Sequence, residues 1–137
     1  MNKLVSTVLG AAGLAALLTA APAQALTLIE PDPATGPHSE LTIRVTSVEG
    51  GGESSITLSC PAQWSAHPNA EEACAQLEAA GGHIDAIGGG DGMCTAQYDP
   101  VRVVVTGNWH RASHFFIGTY GNRCQAVQAT GGALLDF

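Results

Sequence analysis

Apolar and polar residues alternate over three stretches of the chain. Leu41, Ile43 and Val45 alternate with Thr42, Arg44 and Thr46. That period of two predicts a strand with one buried face. Ile56 and Leu58 alternate with Ser55 and Thr57 and lead into Cys60, predicting a second strand. Gly50-Gly51-Gly52 lies between the two and supplies a hairpin turn. Val101, Val103 and Val105 alternate with Arg102 and Val104 in a third strand running to Gly107-Asn108. Trp109 to Tyr120 reads as its antiparallel partner, and Gly121-Asn122 turns the chain. Gly132 to Phe137 is predicted as a terminal strand. Phe115, Phe116 and Phe137 are expected in the core, and Trp64 and Trp109 in packing roles.

A different period appears after the loop Pro61 to Pro68. Ala73, Leu77 and Ala80 fall on one helical face, with Cys74 beside Leu77. Asn69 is placed to cap that helix, with Glu72 completing a capping box. Glu71 and Glu72 suit the positive end of the helix dipole. Gly81-Gly82 ends the helix. Cys124 to Ala129 predicts a second, short helix. From Gly81 to Gly92, six of twelve residues are glycine, which rules out a long regular element there. The fold class is therefore α+β, with about five strands in an antiparallel sheet.

The N-terminus follows another logic. Asn2-Lys3 is a short cationic start, Leu4 to Ala21 is apolar, and Ala23-Gln24-Ala25 fits small-x-small cleavage. Residues 1–25 read as a secretory signal peptide. A transmembrane anchor is the weaker reading, since an apolar run of about 18 residues is marginal for a span. Residues 26–137 then form one domain. Its segment 26–39 carries Pro31, Pro33 and Pro37 and is expected to be an extended, loose arm. An extracellular, oxidising destination suits four cysteines, which allow three disulfide pairings.

Charge narrows the function. The chain has five basic and twelve acidic residues, net −7. Loss of Lys3 with the leader would leave 112 residues at −8 and no lysine. Phosphate neutralisation needs clustered cations, so nucleic acid is not expected as a partner. Nor is a membrane, because no other stretch is apolar enough to cross one.

Candidate chemistry is sparse. His38, His67, His83, His110 and His114 are scattered. Only His110 and His114 have metal-ligand spacing for a helix, but on a strand they stand about 13 Å apart. No metal or cofactor is expected. Ser113 and His114 point to opposite strand faces and cannot pair, and no G-x-S-x-G elbow occurs. No catalytic residue is assigned. A small secreted hydrolase using His83 or His110, or a disulfide-stapled binding module, remains the alternative class. Cys94 is the informative cysteine. It lies at the edge of the glycine run, before Thr95-Ala96-Gln97-Tyr98-Asp99-Pro100, where a disulfide would pin an exposed loop.

Several ordered motifs resemble the secreted Streptomyces subtilisin inhibitor family of serine-protease inhibitors. They are Ser54 through Cys60, His67-Pro68, Ala73-Cys74-Ala75-Gln76-Leu77 and Gly81-Gly82. Then follow Met93-Cys94-x-x-x-Tyr98-Asp99-Pro100-Val101, Val103 to Trp109, Asn122-x-Cys124 and the final Phe137. The resemblance spans about Leu41 to Phe137. It implies disulfides Cys60–Cys74 and Cys94–Cys124, and a five-stranded antiparallel sheet with two short helices. It also implies a homodimer through a sheet face. The reactive bond it implies is Ala96–Gln97, with Ala96 as P1, Thr95 P2, Cys94 P3, Met93 P4, Gln97 P1′ and Tyr98 P2′. Gly92 and Asp99 bound the protease-contacting loop. Ala96 offers one methyl, about 0.8 kcal/mol if buried. The implied partners are subtilisin-like or elastase-like proteases, because an acidic S1 pocket needs a cation at P1.

Overall fold

The computed structural model describes residues 36–137. The predicted leader, 1–25, lies outside the described residues, as does most of the predicted arm. The arm's final residue is not loose: Ser39 is buried and opens the first strand.

Strand β1 (Ser39–Ser47) pairs antiparallel with β2 (Glu53–Cys60) and with β3 (Val101–Trp109). Strand β4 (Ala112–Tyr120) extends the sheet on the far side of β3. The order is β2-β1-β3-β4. Register sets Leu41 opposite Leu58 and Gly107, and Val45 opposite Val103. One face therefore collects Leu41, Ile43, Val45, Leu58, Val101, Val103 and Val105, all buried. Helix α1 (Ala70–Ala79) adds Ala70, Ala73 and Leu77 to that core. Disulfide Cys60–Cys74 joins the end of β2 to this helix. Helix α2 (Arg123–Ala129) follows β4 directly and buries Ala126. Among the described residues the class is α+β as expected, with two α-helices and two disulfides.

Among the described residues the sheet has four strands, not five. Gly132 to Phe137 forms turns instead of the predicted terminal strand. Gly131 and Gly132 both sit in the left-handed region, at φ 86° and 88°, and fold the chain back after α2. The backbone beyond them is satisfied by side chains and not by a ladder. The Leu134 carbonyl accepts from His67 Nε2 at 2.9 Å. The Leu135 and Phe137 carbonyls accept from Arg123 Nη2 at 3.3 and 2.6 Å. Ala133, Leu134 and Leu135 are buried, so the segment still contributes apolar contacts.

Three further expectations change. The β3–β4 turn is His110-Arg111, and β3 runs on to Trp109 past the predicted strand end at Gly107-Asn108. Both turn residues have positive φ (47° and 69°), as a two-residue primed hairpin turn requires. Gly107 instead lies within the ladder, where a Cβ would run into the Glu40 carbonyl. Asn69 precedes α1, but its side chain makes no cap hydrogen bond. It donates to the Asp136 carbonyl at 2.9 Å. Finally, Phe115 is 68% exposed on the outer sheet face and Trp64 is also exposed, whereas Trp109 is buried. Phe116 and Phe137 pack against the core edge.

Candidate functional site

The glycine run and the segment after it form one continuous exposed loop from Gly88 to Asp99, which enters β3 through buried Pro100. Met93 is 98% exposed and Tyr98 74%. Gly92, Thr95, Ala96, Gln97 and Asp99 are exposed as well, and Cys94 is half-buried. Contiguous apolar patches mark interaction surfaces, whereas a single exposed apolar side chain shows only that the residue is outside the core. Met93 is therefore not a core residue.

The loop has no internal ladder; its order comes from α2 and the residues just before it. Disulfide Cys94–Cys124 ties the middle of the loop to the first turn of that helix. Two residues earlier stands Asn122, only 8% exposed. Its Oδ1 accepts from the Gln125 backbone N–H at 2.8 Å and caps α2. Its Nδ2 donates to the Thr95 carbonyl at 3.1 Å and the Gln97 carbonyl at 2.8 Å. One amide thus braces the backbone on both sides of Ala96. The cap fixes the Asn122 rotamer, so the two loop bonds need little further ordering. On the C-terminal limb, Asp99 N–H donates to the Gly121 carbonyl at 2.8 Å. On the N-terminal limb, Gly90 N–H donates to the Gln128 carbonyl at 2.7 Å, and Gly92 N–H to Gln128 Oε1 at 2.8 Å.

Asn122 and Gln128 were not among the predicted site residues. Asn122 carried a legible signal, an Asn two positions before a cysteine at the start of a helix. Gln128 carried none beyond its helical spacing from Cys124.

The histidines do not assemble a catalytic centre. His67 is buried; its Nδ1 accepts from Asn69 N–H at 3.1 Å, leaving Nε2 to donate to Leu134. His110 lies in the β3–β4 turn, stacks on His38 at 4.9 Å and meets Glu78 at 2.8 Å. The neighbouring Ser39 hydroxyl accepts from His110 N–H at 2.9 Å and is buried, beyond the reach of a substrate. Burial, and more weakly the nearby His83, holds the His114 pKa below its ordinary value, against a smaller opposing effect of Asp85. Among the described residues no three His, Cys, Asp or Glu side chains gather to hold a metal. No helix among them is long and apolar enough to cross a membrane.

A small disulfide-stapled α+β scaffold with one exposed loop, held by a disulfide and by side-chain hydrogen bonds, defines a structural class. Comparison with known proteins places it within that class. The subtilisin inhibitor-like family model matches residues 36–122. The chain belongs to that family. It is 45% identical over 74 residues to a probable subtilase-type protease inhibitor of Streptomyces avermitilis, covering 53% of this chain and 51% of the relative. It is 44% identical over 71 residues to subtilisin inhibitor-like protein 2 of Streptomyces rochei, covering 50% and 63%. The matched region thus spans about half to two thirds of the length of these relatives. A solved structure shares the fold: Streptomyces caespitosus sermetstatin, in complex with Bacillus licheniformis subtilisin. Its TM-score is 0.54 at 24% identity, covering 72% of this chain and 96% of that one.

Proposed function

We propose that this protein is a secreted inhibitor of subtilisin-like serine proteases, with Ala96–Gln97 as its reactive bond. The observation that carries the proposal is the Asn122 amide holding the carbonyls on both sides of Ala96. Family membership supports the target class.

In this reading the loop enters the protease cleft as an extended substrate. Its backbone is ordered before binding, so association loses little conformational entropy. The brace and the disulfide resist the separation of chain ends that completes hydrolysis. If the bond is cut, Cys94 stays bridged to Cys124 on one side and Asp99 stays tied to Gly121 on the other. The cut ends remain neighbours and can rejoin. Such interfaces bury about 1,600 Å² in total and can be very tight.

Ala96 at P1 suits a shallow or apolar S1 pocket, as in subtilisin-like or elastase-like enzymes. Affinity then leans on backbone pairing, Met93 and Tyr98. A homodimer through the outer sheet face is part of the proposal. There Phe115 and Ile117 stand exposed beside Val104, with Thr42, Arg44 and Thr106 completing the face. Secretion, directed by residues 1–25, would supply the oxidising space that both disulfides need.

The test is a titration of subtilisin with purified protein, followed by mass spectrometry of the complex quenched in acid. One-to-one loss of activity and cleavage between Ala96 and Gln97 are expected. Ala96→Lys should add trypsin inhibition by matching the acidic S1 pocket. Turnover of the protein at another bond, with no inhibition, would sink the proposal.

A further inference from the structure

The glycine-rich approach to the loop is held by one side chain. Alternate residues 90, 92 and 94 each make a tie to α2: a backbone bond at Gly90, a side-chain bond at Gly92 and the disulfide at Cys94. Met93, between two of the ties, projects fully into solvent. Cys124 and Gln128 lie four apart on α2 and so share a face. One anchors the loop covalently and the other through its amide and its own carbonyl.

The glycines fit this arrangement for a steric reason. Neither Gly90 nor Gly92 has a positive φ, so neither backbone demands glycine. A Cβ at either position would instead run into the Gln128 amide. Absence of side chains lets that amide lie against the backbone. The turn after α2 is braced in its own right, since Gln76 Nε2 donates to the Gly131 carbonyl at 2.9 Å. An unheld glycine limb would sample many conformations, and binding would have to order it.

We infer that Gln128 is a positioning residue: it presets the limb Gly90–Met93 and thereby sets how much Met93 contributes at the P4 subsite of the protease. This rests on the reactive bond proposed above. Only an acceptor oxygen is needed at Gly92 N–H, so a glutamate should replace the glutamine.

The experiment measures the inhibition constant for subtilisin with Gln128→Ala, Gln128→Glu, Met93→Ala and the double variant Gln128→Ala/Met93→Ala. It also follows amide exchange at Gly92. Gln128→Ala should weaken inhibition about tenfold, mostly through faster dissociation, at nearly unchanged melting temperature. Gln128→Glu should stay within about twofold of the parent. The double variant should be hardly weaker than the worse single one, because an unheld Met93 contributes little. The Gly92 amide should be protected in the parent and lose protection only in Gln128→Ala. Additive single effects, or a Gly92 amide unprotected in the parent, would overturn the inference. Failure of the reactive bond itself shows separately, as cleavage by subtilisin away from Ala96–Gln97 in a parent whose Gly92 amide is still protected.

Discussion

The two disulfides sit in contrasting surroundings. Cys60–Cys74 ends a strand and enters a helix inside the apolar core, and Cys60 is only 3% exposed. Around it Leu58, Ala73 and Leu77 are buried, so the bridge adds to packing that already exists. Cys94–Cys124 has almost no apolar support on its loop side. Its loop partners are exposed residues and glycines, and the other restraints are the polar ties from Gly121, Asn122 and Gln128. One staple thus serves the stability of the fold, and the other serves the shape of a surface. The hydrophobic effect orders a region only where there is apolar area to bury. A loop that must stay exposed to meet a partner has to be ordered by covalent and hydrogen bonds instead.

The sharpest way to break that contrast is to cut each bridge in turn. Cys94→Ser/Cys124→Ser removes the closure of a loop of about 31 residues, roughly 3–4 kcal/mol in the chain-entropy model. Inhibition of subtilisin should weaken by about a hundredfold or more, and the variant should be digested as a substrate. Undiminished inhibition would show that the polar ties suffice. Cys60→Ser/Cys74→Ser opens a loop of about 15 residues, about 3 kcal/mol, and puts hydroxyls in the core. Thermal melting followed by circular dichroism should show the larger loss of stability here, with inhibition in the cold kept to within a few-fold. Equal loss of inhibition from both variants would erase the distinction.

Smaller effects sharpen it. Asn122→Ala leaves the Thr95 and Gln97 carbonyls without their donor and uncaps α2. With about 1–2 kcal/mol at stake, a roughly tenfold weaker inhibition constant is expected, with faster cleavage at Ala96–Gln97. A peptide-bond cleavage assay by mass spectrometry would read this directly, and an unchanged rate would remove Asn122 from the site. The smallest effect is on pH. His114 has a folded pKa below 6.5, so its neutral form is favoured in the fold. The unfolded chain therefore binds the proton first, and stability present above pH 6.5 is lost as pH falls below it. His83 and Asp85 are the groups that face it electrostatically. Melting temperatures between pH 7.5 and pH 5 should drop less in His114→Gln than in the parent. Loop function should not follow this titration, because His114 belongs to the sheet.

Much of the fold is legible in the residue pattern alone. Local alternation locates the strands at Leu41–Val45, Ile56–Cys60 and Val101–Val105, because a strand's period of two is written residue by residue. The motif around Met93-Cys94 points to the loop. Local pattern misleads where tertiary partners outweigh it. The turn at His110-Arg111 has no glycine; it is held by stacking on His38 and by a bond to Ser39. Asn69 has the sequence position of a cap but turns to Asp136, which is 67 residues away in sequence.

By itself the sequence determined the α+β class, the strand periodicity and the candidate loop, and its family motifs implied how the cysteines pair. Tertiary structure alone decided the sheet order β2-β1-β3-β4 and the fate of the last six residues, three of whose carbonyls went to His67 and Arg123. It alone decided which side chains brace the loop. Asn122 reaches Thr95 across 27 positions and Gln128 reaches Gly92 across 36. Periodicity reports only neighbours along the chain. A hydrogen bond between distant residues exists only after the core has folded and brought the helix beneath the loop.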